Sequence, residues 1–295
     1  MDLYQLKYFR EVARELSFTR AANNLHVSPS AVSRSVTQLE ASVNRRLFAR
    51  TRRQVSLSAA GTALKARAER IFDEIERAER ELAGEDPAPA LLRIASRELI
   101  TNYLLPGPLG EFSARYAATR WTIHALEPRA LAEALGKDRL DLGFAYGDSA
   151  DPAVAGERLG RLRSHVYASR KLLKRGARPR GLREALALPF VAPRAFGGDP
   201  SSPSPDGFPD RKHPRRIRYE VEFLETHRRF VLSGLCAGVL PDIVMKDALA
   251  RGEAVVLPGP AIVREIYCLR RRDRALPRAV EFLVARVRAA LRGLA

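Results

Sequence analysis

The sequence is poor in cysteine and in long hydrophobic runs, and each scarcity excludes a class of protein. Among 295 residues there are 2 cysteines, Cys236 and Cys268, which are too few for a disulfide framework and fit a reducing compartment. No run approaches the roughly 18 consecutive apolar residues that a membrane-spanning helix needs. Residues 1–7 have no basic region followed by an apolar core, so no secretory signal is expected. These absences predict a cytoplasmic protein.

Residue patterns that carry catalysis are also missing. The five histidines have no metal-ligand spacing among themselves or with the cysteines; they are His26, His124, His165, His213 and His227. The sequence has no phosphate-binding glycine loop and no Gly-x-Ser-x-Gly elbow. We therefore expect no enzymatic activity, no metal and no cofactor.

Positive charge is abundant, and its distribution along the chain is uneven. The formal net charge is +17. Residues 1–58 carry ten basic and four acidic side chains, residues 59–86 carry five and eight, and the remainder therefore has a net charge of +14. The first segment is suited to nucleic acid. In the remainder, a solvated arginine-rich surface is favoured over an anionic ligand or an additional DNA contact.

Two short helices joined by a tight turn are predicted within residues 17–43. The first covers about 19–25, and Ser28 is suited to cap the second, with Pro29 where a missing N–H costs nothing. Apolar residues at spacings of three and four predict a buried stripe on the second helix. The stripe consists of Val32, Val36, Leu39 and Val43. The opposite face carries side chains suited to phosphates and base edges, namely Ser30, Ser33, Arg34, Thr37 and Gln38.

A basic hairpin is predicted directly after these helices. Leu47 and Phe48 are apolar anchors, and the strand–turn–strand that follows carries Arg50, Arg52 and Arg53. The apolar stripe alone would fit any pair of amphipathic helices. A basic hairpin beside a helix-turn-helix favours a winged helix, in which one element enters the groove and the other binds the flanking backbone.

The order and spacing of these residues resemble the LysR-type transcriptional regulators over about the first sixty positions. The matching residues are Phe18-Thr19-x-Ala21-Ala22, Leu25-x-Val27-Ser28, Ala31-Val32-Ser33, Leu39-Glu40, Leu47-Phe48-x-Arg50 and Leu57-Ser58-x-Ala60-Gly61. The resemblance implies an α+β multidomain protein with an N-terminal winged helix-turn-helix, a long linker helix and a C-terminal α/β two-lobed periplasmic-binding-protein-like effector domain. One departure is Pro29-Ser30, where the family usually has Gln followed by Pro or Ser, so a different preference for DNA sequence is expected.

The chain is predicted to divide into three parts. Residues 1–58 form the winged helix-turn-helix domain, which begins with an amphipathic helix over 3–16. Residues 59–86 form a dimerisation linker helix capped by Ser58, and residues 87–295 form the effector-binding domain. The linker helix has an apolar a/d seam, which favours pairing of two chains over packing against its own domain. The seam consists of Leu64, Ala68, Ile71, Ile75, Ala78 and Leu82. A homodimer or homotetramer is expected.

Strands alternate with helices in the effector-binding domain. Strands at 91–96, 121–126 and 140–146, with helices at 102–116 and 130–135, predict a parallel, doubly wound lobe. A strand at 161–169 leads to a second set, with strands at 190–192, 218–223, 239–240 and 254–257 and helices at 181–187, 226–235 and 242–251. A strand at 264–269 and a helix at 276–291 return the chain. Lobe I would comprise about 90–160 and 270–295, and lobe II about 169–264.

A small effector is expected between the lobes, near strand ends and helix N-termini, where free N–H groups favour anions. Ser96 ends the first strand and matches a position where the LysR-type family often places Ser or Thr against the effector; a helix cap is an equal alternative. Arg97 beside it favours an anionic effector. Tyr146 and Thr226 occupy similar positions.

Two other features of this domain lead to expectations about structure. Residues 194–214 are rich in Gly, Pro and Ser, which predicts a long mobile loop; an idle surface insertion is favoured over a cover for the crevice. Cys236 stands where the family's Ala-Gly-x-Gly…Leu-Pro turn has its second glycine, and it would be strained if that position needed positive φ. A buried structural thiol is favoured over a redox pair with Cys268.

The sequence thus predicts a DNA-binding transcriptional regulator that senses a small effector and alters promoter binding or bending. The expected DNA contacts are Ser28, Pro29, Ser30, Ser33, Arg34 and Thr37 from the helix, and Arg50, Arg52 and Arg53 from the hairpin. The expected partners are double-stranded promoter DNA, the effector, further copies of the chain and RNA polymerase, with no membrane. The alternative is a ligand-binding or enzymatic α/β protein whose N-terminal domain serves assembly only.

Overall fold

The computed structural model describes residues 1–50, 55–83, 88–173, 178–194 and 204–294, without the side chains of Arg50, Arg77 and Glu81. The chain divides into two compact units, Met1–Pro89 and Ala90–Ala295. Each unit has buried hydrophobic clusters of its own.

Among the residues that the structure describes, the first unit contains four helices and a two-stranded hairpin. Helix α1 (Leu3–Glu15) begins with a capping box, in which Asp2 accepts the N–H of Gln5 at 2.8 Å and the Gln5 amide oxygen accepts the N–H of Asp2 at 3.2 Å. Helices α2 (Phe18–Asn24) and α3 (Pro29–Ser42) follow, capped by Ser17 and Ser28. Strands β1 (Phe48–Arg50) and β2 (Val55–Leu57) pair antiparallel. Helix α4 (Ala59–Leu82) completes the unit.

The core of this unit confirms the predicted stripe on α3. Val32, Val36 and Leu39 are fully buried, and Val43 is half-buried. They belong to one cluster with residues of α1, the hairpin and the first half of α4. The Ser58 hydroxyl accepts the N–H of Gly61 at 3.0 Å, as expected of the cap of α4.

Within the described residues, the second unit contains a nine-stranded sheet in the order β4-β3-β5-β11-β6-β9-β7-β8, with β10 paired to β6. The strands are β3 (Leu91–Ser96), β4 (Arg120–Ala125), β5 (Leu142–Tyr146), β6 (Val154–Ser169), β7 (Pro189–Pro193), β8 (Arg216–Val221), β9 (Ala237–Pro241), β10 (Ala254–Val256) and β11 (Ile262–Arg271). The helices are α5 (Pro106–Arg115), α6 (Pro128–Gly136), α7 (Arg170–Leu173), α8 (Leu182–Leu186), α9 (Leu224–Ser233), α10 (Asp242–Ala250) and α11 (Arg278–Arg292), with a π-helical turn at Ile100–Leu104.

The sheet forms two lobes joined by two strands. In lobe I, β3 pairs in parallel with both β4 and β5. In lobe II, β7 pairs in parallel with β8 and β9. The long strands β6 and β11 pair antiparallel and run between the lobes, so the predicted pair of connecting strands is confirmed. The carboxyl ends of the parallel strands therefore meet where the two lobes face each other.

Two elements differ from the sequence-based prediction. The connecting strand β6 begins at Val154 and not at residue 161. Two glycines and two charged residues interrupt the apolar pattern of residues 154–160, but this stretch still pairs with β11. The helix predicted over 102–116 is divided into the π-helical turn and α5. The N–H of Leu105 bonds to the carbonyl of Ile100 at 2.9 Å, and Pro106 has no N–H with which to continue that ladder.

Cys236 is not strained. The positive φ in its turn belongs to Gly234, at 85°, and Cys236 is absent from the described residues with positive φ. Both cysteines are buried and free, and burial raises the pKa of each thiol to about 12. No helix among the described residues is long and apolar enough to cross a bilayer.

Candidate functional site

The face of α3 opposite the buried stripe is exposed and polar. Ser28, Pro29, Ser30, Arg34 and Thr37 are exposed, and Ser33 is half-buried. The hydroxyls already have local partners: Ser28 accepts the N–H of Ala31 at 3.2 Å, and Thr37 donates to the carbonyl of Ser33 at 2.8 Å. None of the described carboxylates forms an ion pair with Arg34, so its guanidinium is available to a partner.

Glu40 links the end of α3 to the hairpin. Its buried carboxylate accepts the backbone N–H groups of Leu47 at 2.7 Å and Phe48 at 3.1 Å, and Arg46 Nη1 lies 3.2 Å away. Burial raises the pKa of Glu40, but these two backbone bonds and Arg46 together outweigh burial, so the pKa is lowered. Sequence reasoning had assigned Glu40 no role. The available signal was an acidic residue directly after the buried Leu39.

The hairpin is anchored by aromatic contacts, and only part of its basic face is described. The Phe48 ring lies 5.4 Å from that of Phe9 and 5.7 Å from that of Phe18, centroid to centroid. The backbone of Arg50 lies in β1 opposite Val55. The side chain of Arg50 and all of Arg52 and Arg53 lie outside the described residues.

A crevice of about 500 Å³ lies between the two lobes of the second unit. Its wall is built by residues at or just after the ends of β3, β4 and β5 in lobe I and of β7, β8 and β9 in lobe II, together with residues of the connecting strands β6 and β11 and His227 of α9. This is the edge at which open α/β sheets bind ligands. The ionisable residues of the wall are Arg97, Glu98, Glu127, Tyr146, Asp206, Glu222, His227 and Arg264.

Two arginines approach one phenol in this wall. Arg97 Nη1 lies 2.5 Å from Glu127 Oε2. The Arg264 guanidinium lies 5.0 Å from the centroid of the Tyr146 ring and donates to the carbonyl of Pro205. Burial raises the pKa of Tyr146 to about 12, although Arg264 and Arg97 act to lower it. The phenol is therefore a neutral hydrogen-bond donor at pH 7.

The four predicted effector residues do not all reach the crevice. Arg97 and Tyr146 line it, whereas Ser96 and Thr226 are not among the lining residues. Ser96 is fully buried, and its Oγ lies 2.5 Å from Thr101 Oγ1, within the turn that follows β3. Thr226 is half-buried in the first turn of α9.

Within the described part of the predicted loop, Arg194 with residues 204–214, Pro205 and Asp206 line the crevice. The fully buried Arg215 side chain binds Asp206 and Asp210, each at 2.7 Å, and its guanidinium lies 4.3 Å from the Phe208 ring. These contacts hold Pro205 and Asp206 against the crevice. The expectation of an idle insertion is wrong for 204–214, because Pro205 and Asp206 line the crevice; the mobility of the loop stays a prediction, and residues 195–203 lie outside the described residues.

His227 contributes a buried polar atom to the same wall. Its Nε2 has no hydrogen-bond partner among the described residues. Burial lowers the pKa of His227 to about 4, so the ring is neutral at pH 7. Gly238 leaves room for it, since a Cβ there would lie 2.5 Å from Nε2. Sequence reasoning saw only isolated histidines, and within the described residues no group of His, Cys, Asp and Glu is arranged to hold a metal ion.

Comparisons with known proteins agree with this arrangement in both units. Residues 3–62 match the family model described as "Bacterial regulatory helix-turn-helix protein, lysR family". Residues 86–292 match the model of the "LysR substrate binding domain", which covers more than half of the chain. The chain belongs to the LysR family of transcriptional regulators. Members of this family bind DNA and carry an effector-binding domain, and they are not enzymes.

Individual LysR-family relatives match nearly the whole chain. The uncharacterized HTH-type transcriptional regulator YfeR of Shigella flexneri is 28% identical over 96% of this chain and 92% of its own length. Full-length CbnR, solved in a complex with its target DNA, has a TM-score of 0.56 and 22% identity over 98% of this chain and 100% of its own. LysG of Corynebacterium glutamicum, solved with bound effector Arg, has a TM-score of 0.58 and 23% identity over 99% of both chains. At this identity the two structures show a shared fold.

Proposed function

We propose that this LysR-family regulator reads promoter DNA with the exposed face of α3. The contacts would come from Ser28, Pro29, Ser30, Ser33, Arg34 and Thr37, with Arg50, Arg52 and Arg53 of the hairpin on the flanking backbone or minor groove. The observation that carries the proposal is the two-sided character of α3, with three buried apolar residues on one face and an unpaired guanidinium on the other. The target DNA bound by CbnR supports the proposal by analogy.

We assign the α4 helix to dimerisation. Its 24 residues span about 36 Å. Leu64 and Ala68 of its seam pack in the core of the first unit, whereas Ile71 is 37% and Leu82 89% exposed. An apolar seam exposed to water favours a second copy of the chain. A dimer would present two α3 helices to major grooves about 34–36 Å apart, as dimeric helix-turn-helix proteins do. Two such dimers would make the homotetramer.

We assign effector binding to the crevice of the second unit, within residues 87–295. A small anionic effector would meet Arg97, Tyr146 and Arg264, with Ser96 bracing the turn that carries Arg97. Thr226 lies in the first turn of α9, outside the crevice lining. LysG carries the amino acid Arg as its effector, which supports a small charged molecule here by analogy. Effector binding would shift the equilibrium between lobe arrangements and thereby alter promoter binding or bending, with RNA polymerase as a further partner in the cytoplasm.

Footprinting of the full chain on DNA upstream of its own and neighbouring genes tests the proposal. We expect a protected region with two half-sites at low ionic strength, weakening steeply as salt is raised. A scrambled fragment of equal length and composition is the control. Failure to protect any promoter fragment at low salt would contradict DNA reading and favour an N-terminal domain that serves assembly only. Mass spectrometry of ligand released from denatured protein would identify the effector.

A further inference from the structure

A carboxylate of lobe I accepts hydrogen bonds from the first turn of a helix of lobe II. Glu98 follows β3, and its Oε2 and Oε1 accept the backbone N–H groups of Leu224 at 2.8 Å and Glu225 at 3.4 Å. These are the first residues of α9, whose own N-cap residue, Phe223, makes no side-chain cap. Glu98 therefore caps a helix that begins 126 residues later in the chain.

A second bond from lobe I reaches the same turn of α9. Tyr103, on the π-helical turn, donates its hydroxyl to Glu225 Oε2 at 2.8 Å. Glu225 is held in turn by Arg228, whose Nη1 lies 3.0 Å from Glu225 Oε1. Burial and the bond to Glu225 raise the pKa of Tyr103 to about 12, so this donor keeps its proton at neutral pH. We call Glu98 and Tyr103, with the first turn of α9, the interlobe clasp.

The clasp occupies the position in the crevice where an anion would be most stable. The N-terminus of a helix favours negative charge through its free N–H groups and its dipole. In this chain those N–H groups already hold the Glu98 carboxylate, and both Glu98 and Leu224 line the crevice. Another carboxylate can take the same place with no loss of hydrogen bonds, whereas a neutral molecule cannot replace the charge.

We propose that Glu98 is an internal counterion that holds the lobes closed, and that the effector acts by putting its own carboxylate in the place of Glu98. The exchange releases lobe I from α9 while the effector remains bound to lobe II. The inference rests on the proposed sensing role of the crevice. It narrows the effector to a carboxylate-bearing molecule and identifies the contact that the effector breaks.

Interlobe distances in the full chain test this clasp. Spin labels would be placed at the exposed positions of Arg129→Cys on α6 and Lys246→Cys on α10, in protein diluted with unlabelled chains so that only distances within one chain are measured. For the parent we expect a single narrow distribution of distances between the two labels. For Glu98→Ala we expect this distribution to become broader and to shift to longer distances. Glu98→Gln keeps an acceptor without the charge, so its shift should be smaller. Glu281→Ala, which removes an exposed carboxylate of α11 outside the crevice, is the matched control and should change nothing.

The response of the interlobe distance to acetate distinguishes displacement of Glu98 from a merely structural role of this residue. In the parent, acetate should displace Glu98 from the end of α9 and shift the interlobe distances toward those of Glu98→Ala, and the neutral isostere acetamide should not. An unchanged distance in both Glu98 variants would overturn the proposal, as would a parent protein whose distances do not respond to acetate. Because this measurement contains no DNA, a failed footprint with an intact clasp would count against the proposed function alone.

Discussion

At the scale of single residues, Glu40 controls the geometry of the DNA-binding unit. Its carboxylate is the shared acceptor for two backbone N–H groups at the start of the hairpin, and both of those residues are buried. Since α3 and the hairpin would contact the same duplex, the distance between them must be fixed. Glu40 fixes it with bonds that cross seven and eight residues of sequence.

Glu40→Ala should therefore destabilise the first unit strongly. An unsatisfied buried N–H costs about 1–3 kcal/mol, so we expect the free energy of unfolding to fall by roughly 2–6 kcal/mol for the two donors. Urea unfolding followed by circular dichroism would measure it. Glu69→Ala is the matched control, because the Glu69 side chain is 52% exposed and its Oε1 lies 3.9 Å from Lys65 Nζ. Exposed ion pairs contribute about 0–1 kcal/mol to stability. Equal losses of unfolding free energy in the two variants would contradict the structural role assigned to Glu40.

The same carboxylate predicts a pH dependence of stability. Because the folded pKa of Glu40 is lowered from 4.5, its contribution is present above that pH and is lost as pH falls through the lowered value. The stability difference between the parent and Glu40→Gln should therefore be large at pH 7 and should shrink in acid. Urea titrations at several pH values between 7 and 3 would show whether the two curves converge. A stability difference that stays constant with pH would show that the charge of Glu40 does not contribute to stability.

At the scale of elements, Arg215 makes a lobe II segment part of the crevice. Replacing a buried partner of an ion cluster leaves its carboxylates uncompensated, which typically costs about 3–5 kcal/mol. Arg215→Met should lower the melting temperature of the full chain and loosen the wall at Pro205 and Asp206. Arg218→Met, at an exposed position of β8 three residues after Arg215, is the control. If both variants melt alike, the cluster does not fix the wall.

The seam of α4 makes a separate prediction about assembly. Ile71→Asp places a charge in the proposed interface between two helices, so we expect the dimer to dissociate at concentrations where the parent is fully associated. Sedimentation velocity over a concentration series would measure this. Glu76→Ser changes an exposed position of the same helix outside the seam and should leave the association unchanged. A dimer that survives Ile71→Asp would mean that α4 does not form the interface.

Sequence reasoning succeeded for elements whose signal is local. The caps at Ser28 and Ser58 and the stripe on α3 follow from short spacings, and all are present. It failed where a tertiary contact decides the conformation. No local pattern near residues 100–105 predicts the π-helical turn. Likewise, the Gly-, Pro- and Ser-rich composition of the later segment does not predict that Asp206 and Asp210 form ion pairs with Arg215.

At the scale of the whole molecule, the crevice shows what a single sequence can and cannot reveal about a binding site. Arg97 and Tyr146 were predicted because they follow strands, and both line the crevice. Ser96 was chosen on the same basis but is buried beneath the surface, since the final side chain of a strand can point to either side. Glu98 could not be assigned, because its partner lies in the other lobe.

The positive charge of the second unit also has a structural explanation. Many of its arginines form ion pairs with nearby carboxylates, including Arg158 with Glu265 at 2.7 Å and Arg194 with Glu220 at 2.6 Å. Exposed pairs of this kind add little to stability. The paired carboxylates do, however, reduce the distance over which the surplus positive charge acts. This supports a solvated surface over an additional DNA contact.

The affinity of Arg34→Ala for a footprinted promoter site tests DNA reading by α3 most directly. Fluorescence anisotropy would compare the parent, Arg34→Ala and the control Arg67→Ala, an exposed arginine of α4, on the site and on a scrambled duplex. We predict a loss of about 1–3 kcal/mol for Arg34→Ala on the site, a smaller loss on the scrambled duplex, and little change for Arg67→Ala. An equal loss on both duplexes would make Arg34 a phosphate contact, and no loss on either would contradict the reading of DNA by this face.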